Sequence, residues 1–195
     1  MKRLIIMLIA GLMTCTATAT QQIQDQLTYE GQVYAFGGNG NFPLEEYFES
    51  CSEEATHQWI MLRIACNTDG KRISLCSTGC WRGHVAHWAV ETNLLVLTAI
   101  EIKPKGTKFE SVEILRPIFG DQIKDGKLAA HWFSGHITIG GHLEGKREIL
   151  FFEKGHLVRT EKFESGNELF REDQRLLAEE RERKERQLSK ENTDP

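Results

Sequence analysis

STGCWRGHVAHWAVETNLLVLTAIEI, residues Ser77–Ile102, opens on a chain break and closes on an almost unbroken apolar run. Ser77-Thr78-Gly79 interrupts any regular element, and Trp81-Arg82-Gly83 supplies a corner at which the backbone can turn closely. His84–Val90 and Leu94–Ile102 then form two strands joined through Glu91-Thr92-Asn93. Leu94–Ile102 is apolar on both faces for most of its length. A strand of that pattern is covered on both sides, so it belongs near the centre of a sheet or inside a barrel.

Working outward, the same alternation recurs on both sides. Leu27–Tyr29 and Gln32–Phe36 make a hairpin around Glu30-Gly31. Gly37–Asn41 is a breaker cluster, and Pro43–Glu49 follows as a short helix with Leu44, Tyr47 and Phe48 on one face. Gln58–Ala65 and Lys71–Leu75 pair across a turn at Asn67–Gly70. Beyond the central hairpin, Val112–Leu115 ends as a strand before Pro117, and Ala129–Ile139 is one bent strand or two, divided at Gly135. Ile149–Phe152 and Leu157–Phe163 form a last hairpin through Lys154-Gly155. Short strands at roughly ten-residue spacing predict a mostly β fold, an antiparallel β-barrel or sandwich. It carries one short N-terminal helix and a C-terminal charged helix.

That C-terminal helix spans Asn167–Lys190. Glu179–Arg183, Glu180–Lys184 and Glu182–Arg186 are spaced as i,i+4 pairs in the favourable order. Leu169, Phe170, Leu176, Leu177 and Leu188 are its apolar residues, which make no sustained heptad seam. The helix is expected to be solvated, docked by its first two turns and frayed afterward; the alternative is a helix that binds a partner or associates with itself.

The first residues read as an export signal. Lys2 and Arg3 precede an apolar run, Leu4–Met13, too short to span a bilayer, and Ala17-Thr18-Ala19 fits a small-x-small cleavage site. The boundaries are 1–19 signal peptide, 20–26 tether, 27–165 β-domain, 166–190 charged helix and 191–195 disordered tail. Export points to the periplasm or the medium. The alternative is a membrane-anchored lipoprotein, because Leu12-Met13-Thr14-Cys15 resembles a lipobox with Cys15 as the lipidated residue. The chain has 24 basic and 28 acidic residues, a net charge of −4, and losing the leader removes two of the basic ones. A basic face for nucleic acid is therefore not indicated.

Without the leader four cysteines remain, Cys51, Cys66, Cys76 and Cys80, an even number that suits two disulfides in an oxidising compartment. A hairpin at Asp69-Gly70 sets Cys66 opposite Ile73, so Cys66–Cys76 is a poor pairing. Cys51–Cys66 with Cys76–Cys80 is favoured, and Cys51–Cys76 with Cys66–Cys80 stays open. The spacing C-x3-C-x3-H-x2-H through Cys76, Cys80, His84 and His87 invites zinc. Two points oppose it: strand parity sends His84 and His87 to opposite faces, and the thiols are claimed by disulfides. No metal and no cofactor are expected.

The candidate binding residues are Trp81, Arg82, His84, Trp132, Ser134 and His136. Tryptophans in β-domains mostly pack into the core, but they can also form a ligand platform. Arg82 is a clamp for a carboxylate, a backbone carbonyl or an anion. In an extended strand Trp132, Ser134 and His136 share one face. Ser134 and His136 resemble a nucleophile and base, yet i,i+2 neighbours on a strand rarely bond, and no acidic partner is identifiable.

Two motifs carry a resemblance. Ser77, Thr78, Cys80, Trp81, Arg82, Gly83, Ala86 and Trp88 match an STxCWRGY-A-W pattern, and Ala130, Trp132, Phe133, Ser134 and Gly135 match a later ADWFSG-like one. Together they resemble an uncharacterised bacterial family, a domain of unknown function, over about residues 27–160. His84 stands where that family has Tyr, Ala89 where it has Glu, and His131 where it has Asp. The resemblance implies a domain boundary and no activity. The expected function is an exported, non-enzymatic binding or interaction module for a protein or small ligand. The alternative is a small hydrolase or metal-dependent enzyme using the His- and Trp-rich strands.

Overall fold

The computed structural model describes residues 23–37, 42–50, 84–102, 109–140 and 146–191. The leader, the five cysteines, Trp81, Arg82, the Gln58–Ala65 and Lys71–Leu75 pair, and the last four residues lie outside the described residues. The described chain is mostly strand, and its ten strands form one mixed, mainly antiparallel sheet that curls into a nearly closed barrel.

In chain order the elements begin with β1 (Asp25–Tyr29), β2 (Gln32–Phe36), the helix α1 (Pro43–Ser50), β3 (His84–Glu91) and β4 (Leu94–Ile102). There follow β5 (Phe109–Ser111), a 3-10 turn at Val112–Leu115, the one-turn helix α2 (Arg116–Phe119) and a second 3-10 turn at Gly120–Gln122. β6 (Ile123–Lys124), β7 (Lys127–Ala129), β8 (Gly135–Ile139), β9 (Glu148–Glu153), β10 (His156–Lys162) and the helix α3 (Gly166–Glu191) complete the chain. The sheet order is β2-β1-β3-β4-β10-β9-β8, with β5, β6 and β7 branching from the far side of β4.

β4 is the centre of the sheet. One edge pairs with β3 along its whole length, and the other is shared by β10 at Leu94, β7 at Val96 and Leu97, and β5 at Ala99–Glu101. Leu95, Leu97 and Ile100 are fully buried in a core with Leu27, Trp88, Leu128, Ile137 and Leu150. Removing a side chain of that size from water contributes roughly 1.5–3 kcal/mol, which explains why this run dominates the sequence pattern.

Three features differ from the sequence reading. β1 begins at Asp25, inside the expected tether, and runs parallel to β3, so the sheet is mixed. The chain between β2 and β3 is long enough for the crossover that a parallel pair requires. Buried Asp25 joins this pairing through its side chain, as Oδ1 accepts from the Ala86 N–H at 3.0 Å. Second, Val112–Leu115 is a 3-10 turn and not a strand, because Ser111 caps it by accepting from the Glu113 N–H. Third, Ala129–Ile139 is split by a turn over residues 130–134. The Phe133 N–H donates to the Ala130 carbonyl at 2.9 Å, and strand geometry resumes only at Gly135.

Among the described residues four hairpins turn on two residues with positive φ: Glu30-Gly31, Thr92-Asn93, Asp125-Gly126 and Lys154-Gly155. This is the turn whose twist matches paired strands. Thr92 is the costly member, a β-branched residue at φ 47°. Thr92→Asn is expected to stabilise the protein by about 0.5–1 kcal/mol in urea unfolding, since Asn tolerates this region. Unchanged or lowered stability would show that the Thr92 hydroxyl, which donates to the Glu91 carbonyl at 2.7 Å, outweighs the strain.

Among the described residues β2 and β8 end the sheet and approach one another without sharing a ladder. Side chains bridge the two ends of the sheet. Lys146, just before β9, bonds Glu30 in the β1–β2 turn at 2.6 Å, lies 3.4 Å from buried Glu148, and sits over the Tyr29 ring.

Candidate functional site

α3 is held against the outer face of β8 and β9. Its start is fixed by a reciprocal cap: the Glu168 N–H donates to Ser165 Oγ, and the Ser165 N–H to Glu168 Oε2. Leu169, Asp173 and Leu177, four residues apart, are its buried stripe. Asp173, a carboxylate among leucines, is 3% exposed and faces β8. There the Thr138 hydroxyl donates to Asp173 Oδ1, and His136 Nε2 lies 3.5 Å from the same oxygen.

Past Leu177 the helix positions facing the sheet become charged, and a cleft opens between α3 and the β8–β9 pair. Its volume is about 510 Å³. Ser134, Gly135, His136, Phe151 and Phe152 line it from the sheet. Leu176, Glu179, Glu180, Arg183 and Arg186 line it from α3. Ser134 is exposed, and its Oγ accepts from the Lys154 N–H at 2.9 Å, which leaves the hydroxyl proton available to a ligand.

The charges on α3 are partly matched. Arg175 bonds both Glu172 and Glu179, so the expected Glu179–Arg183 pair is not made. Glu180 lies 3.7 Å from Lys184 and Glu182 lies 4.0 Å from Arg186. Arg183 has no carboxylate partner among the described residues.

The other sequence candidates lie elsewhere. Trp132 leaves the β8 line through the 130–134 turn. It packs on Tyr47 and Phe119, at 4.8 and 5.6 Å between ring centroids, and donates its indole N–H to the Pro43 carbonyl at 2.7 Å. It therefore fastens α1 to the barrel. His84 is fully buried with Nε2 3.2 Å from Glu45 Oε1, a second tie to α1. Trp81 and Arg82 are outside the described residues. Ser134 and His136 are thus the two candidates that reach one cleft. Sequence reasoning missed Asp173, Leu176, Arg183 and Arg186. The signal for Asp173 was present as an acid midway between Leu169 and Leu177.

Comparison with protein-family models, with curated proteins and with solved structures finds no match to this chain.

Among the described residues no three His, Cys, Asp or Glu side chains cluster as metal ligands, and no helix is long and apolar enough to cross a membrane. His84 and His87 turn to different carboxylates. His87 Nε2 lies 3.9 Å from Glu101. Burial pushes the His87 imidazole below its ordinary value, against the upward pull of Glu101 and Asp25. The unfolded chain then takes up this proton first as pH falls. The contribution of His87 is complete above its ordinary value of about 6.5, and is lost as pH drops through the lower folded value. Melting temperature is expected to fall between pH 7 and pH 5, and His87→Gln to remove part of that fall. An identical pH profile in the variant would assign the fall to the carboxylates alone.

Proposed function

We propose that this chain is an exported, non-enzymatic binding module that holds a small ligand in the cleft between α3 and the β8–β9 pair. In this reading it is a β-barrel carrying a short helix α1 and a charged helix α3. The observation that carries the reading is the cleft itself. It combines the aromatic ring of Phe151 with an exposed hydroxyl at Ser134 and arginines at 183 and 186. Ligand sites commonly pair apolar walls with a few polar groups in this way. Export is supported by the leader pattern and the even cysteine count. A thiol titration of the mature protein tests it, since four free thiols would contradict both export and disulfides. The mass of the mature chain separates cleavage after Ala19 from lipid on Cys15.

The binding test uses a fluorescent naphthylamine that brightens in apolar surroundings. The wild-type chain should give a saturable one-site signal, and Leu176→Trp, which fills the cleft, should abolish it. Equal signals from both proteins would remove the cleft from the proposal.

A second reading, a hydrolase, is favoured by one observation: Ser134 and His136 line the same cleft, and His136 is backed by Asp173. It requires Ser134 to act as a nucleophile, although its Oγ bonds the Lys154 N–H. A fluorophosphonate label on Ser134, lost in Ser134→Ala, would favour catalysis over binding.

A further inference from the structure

We infer that the ligand of this cleft is an organic anion, a carboxylate or sulfonate on an apolar body, whose charge is received by Arg183. The inference rests on the binding reading above and adds the chemical class. Four charged side chains line the cleft: Glu179, Glu180, Arg183 and Arg186. Glu179 is bonded to Arg175, and Glu180 faces Lys184 at 3.7 Å. Arg186 is 4.0 Å from Glu182, with both side chains about 70% exposed, so water screens that pair heavily. Arg183 alone of the four has no opposite charge among the described residues. A cationic ligand would compete with Arg175 and Lys184 for acids already matched. An anion meets a guanidinium with its donors uncommitted, and Arg186 lies one helical turn further along the same face.

The apolar body follows from the opposite wall. Phe151 on β9 turns toward the cleft, whereas Phe152, the next residue, turns into the barrel core, and Leu176 lines the cleft from α3. Arg159 stacks on Phe151 at 3.7 Å from the ring centroid, which fixes that ring against the sheet. The wall is therefore ordered before a ligand arrives, and its aromatic surface suits a planar or aliphatic tail.

The test compares anilinonaphthalene sulfonate with uncharged phenylnaphthylamine, two probes of similar apolar body, on the full chain. The wild type should bind the sulfonate about tenfold more tightly, the size expected for one charge-assisted contact. Arg183→Gln should erase that preference while leaving the uncharged probe within about twofold, and Arg183→Lys should recover part of it. Arg183 is exposed, so these variants leave the packing of α3 intact. Equal affinity for both probes, or a sulfonate preference that survives Arg183→Gln, would overturn the anion class. If Leu176→Trp still abolishes uncharged-probe binding in that case, the binding reading survives without it. Should neither probe give a signal sensitive to Leu176→Trp, both fall together.

Discussion

Gly155→Ala is expected to destabilise the protein by about 3 kcal/mol, against about 1 kcal/mol for Gly126→Ala. Both glycines hold the second position of a two-residue hairpin turn, at φ +79° and +69°, so both substitutions incur the same conformational cost. Their surroundings differ. A Cβ at Gly126 meets nothing within 4 Å, whereas one at Gly155 lies 2.6 Å from the Ala130 carbonyl oxygen and 2.9 Å from its carbon. That neighbour is backbone and cannot rotate away. Moving it strains a junction in which the Gly155 carbonyl accepts from the Leu95 N–H at 2.8 Å and the Gly155 N–H donates to the Phe133 carbonyl at 2.7 Å. The excess loss in Gly155→Ala therefore measures how tightly β10, β4 and the 130–134 turn are locked together. Urea unfolding of the two variants side by side reads it directly. Equal losses would mean that the junction relaxes freely.

Asp173→Ala should release α3 from the barrel. Breaking a buried pair while leaving its partners behind costs about 3 kcal/mol or more. Here the partners left behind are His136 and the Thr138 hydroxyl, both facing the position vacated by the carboxylate. Leu169, Leu176 and Leu177 would then be its remaining apolar contacts among the described residues. The loss is expected to fall on α3 first, because the barrel core lies on the other face of β8 with Ile137 and Ile139. Trypsin cleavage at the arginines and lysines of α3 should accelerate at least tenfold, the factor that corresponds to about 1.4 kcal/mol of local opening. Asp173→Asn keeps an acceptor for Thr138 and should show a smaller effect. Unchanged cleavage in Asp173→Ala would mean that the apolar contacts of α3 suffice. Probe binding should fall along with helix docking, since half of the cleft belongs to α3.

The fold was legible where local pattern and tertiary position agree. Leu94–Ile102 is apolar on both faces because both faces are covered, and the Lys154-Gly155 and Glu30-Gly31 pairs announce their turns. The parallel β1–β3 pairing was not legible. Alternation fixes which face of a strand is buried but not the direction of its neighbour. Val112–Leu115 alternates like a strand, yet the Ser111 cap, a contact between residues two apart, tips it into a 3-10 turn. The start of α3 could have been placed at Gly166 from Ser165-x-x-Glu168. Within the candidate site, Ser134 and His136 were visible as unusual residues. Asp173 completes their surroundings from 35 residues beyond Thr138, a juxtaposition that only the docking of α3 creates.

Among the described residues β2 and β8 share no ladder, which gives the barrel a direction in which to breathe. A fully laddered barrel must break a row of backbone bonds before it can widen. Here widening at this line first loosens side-chain contacts such as that of Lys146 with Glu30, while β3, β4 and their neighbours stay zipped. The wall opposite β4 is thus the compliant one, and β8, which begins with Gly135 and His136 of the cleft, is its margin. A change in barrel girth at this line would therefore reach the cleft floor before it reached the central strand.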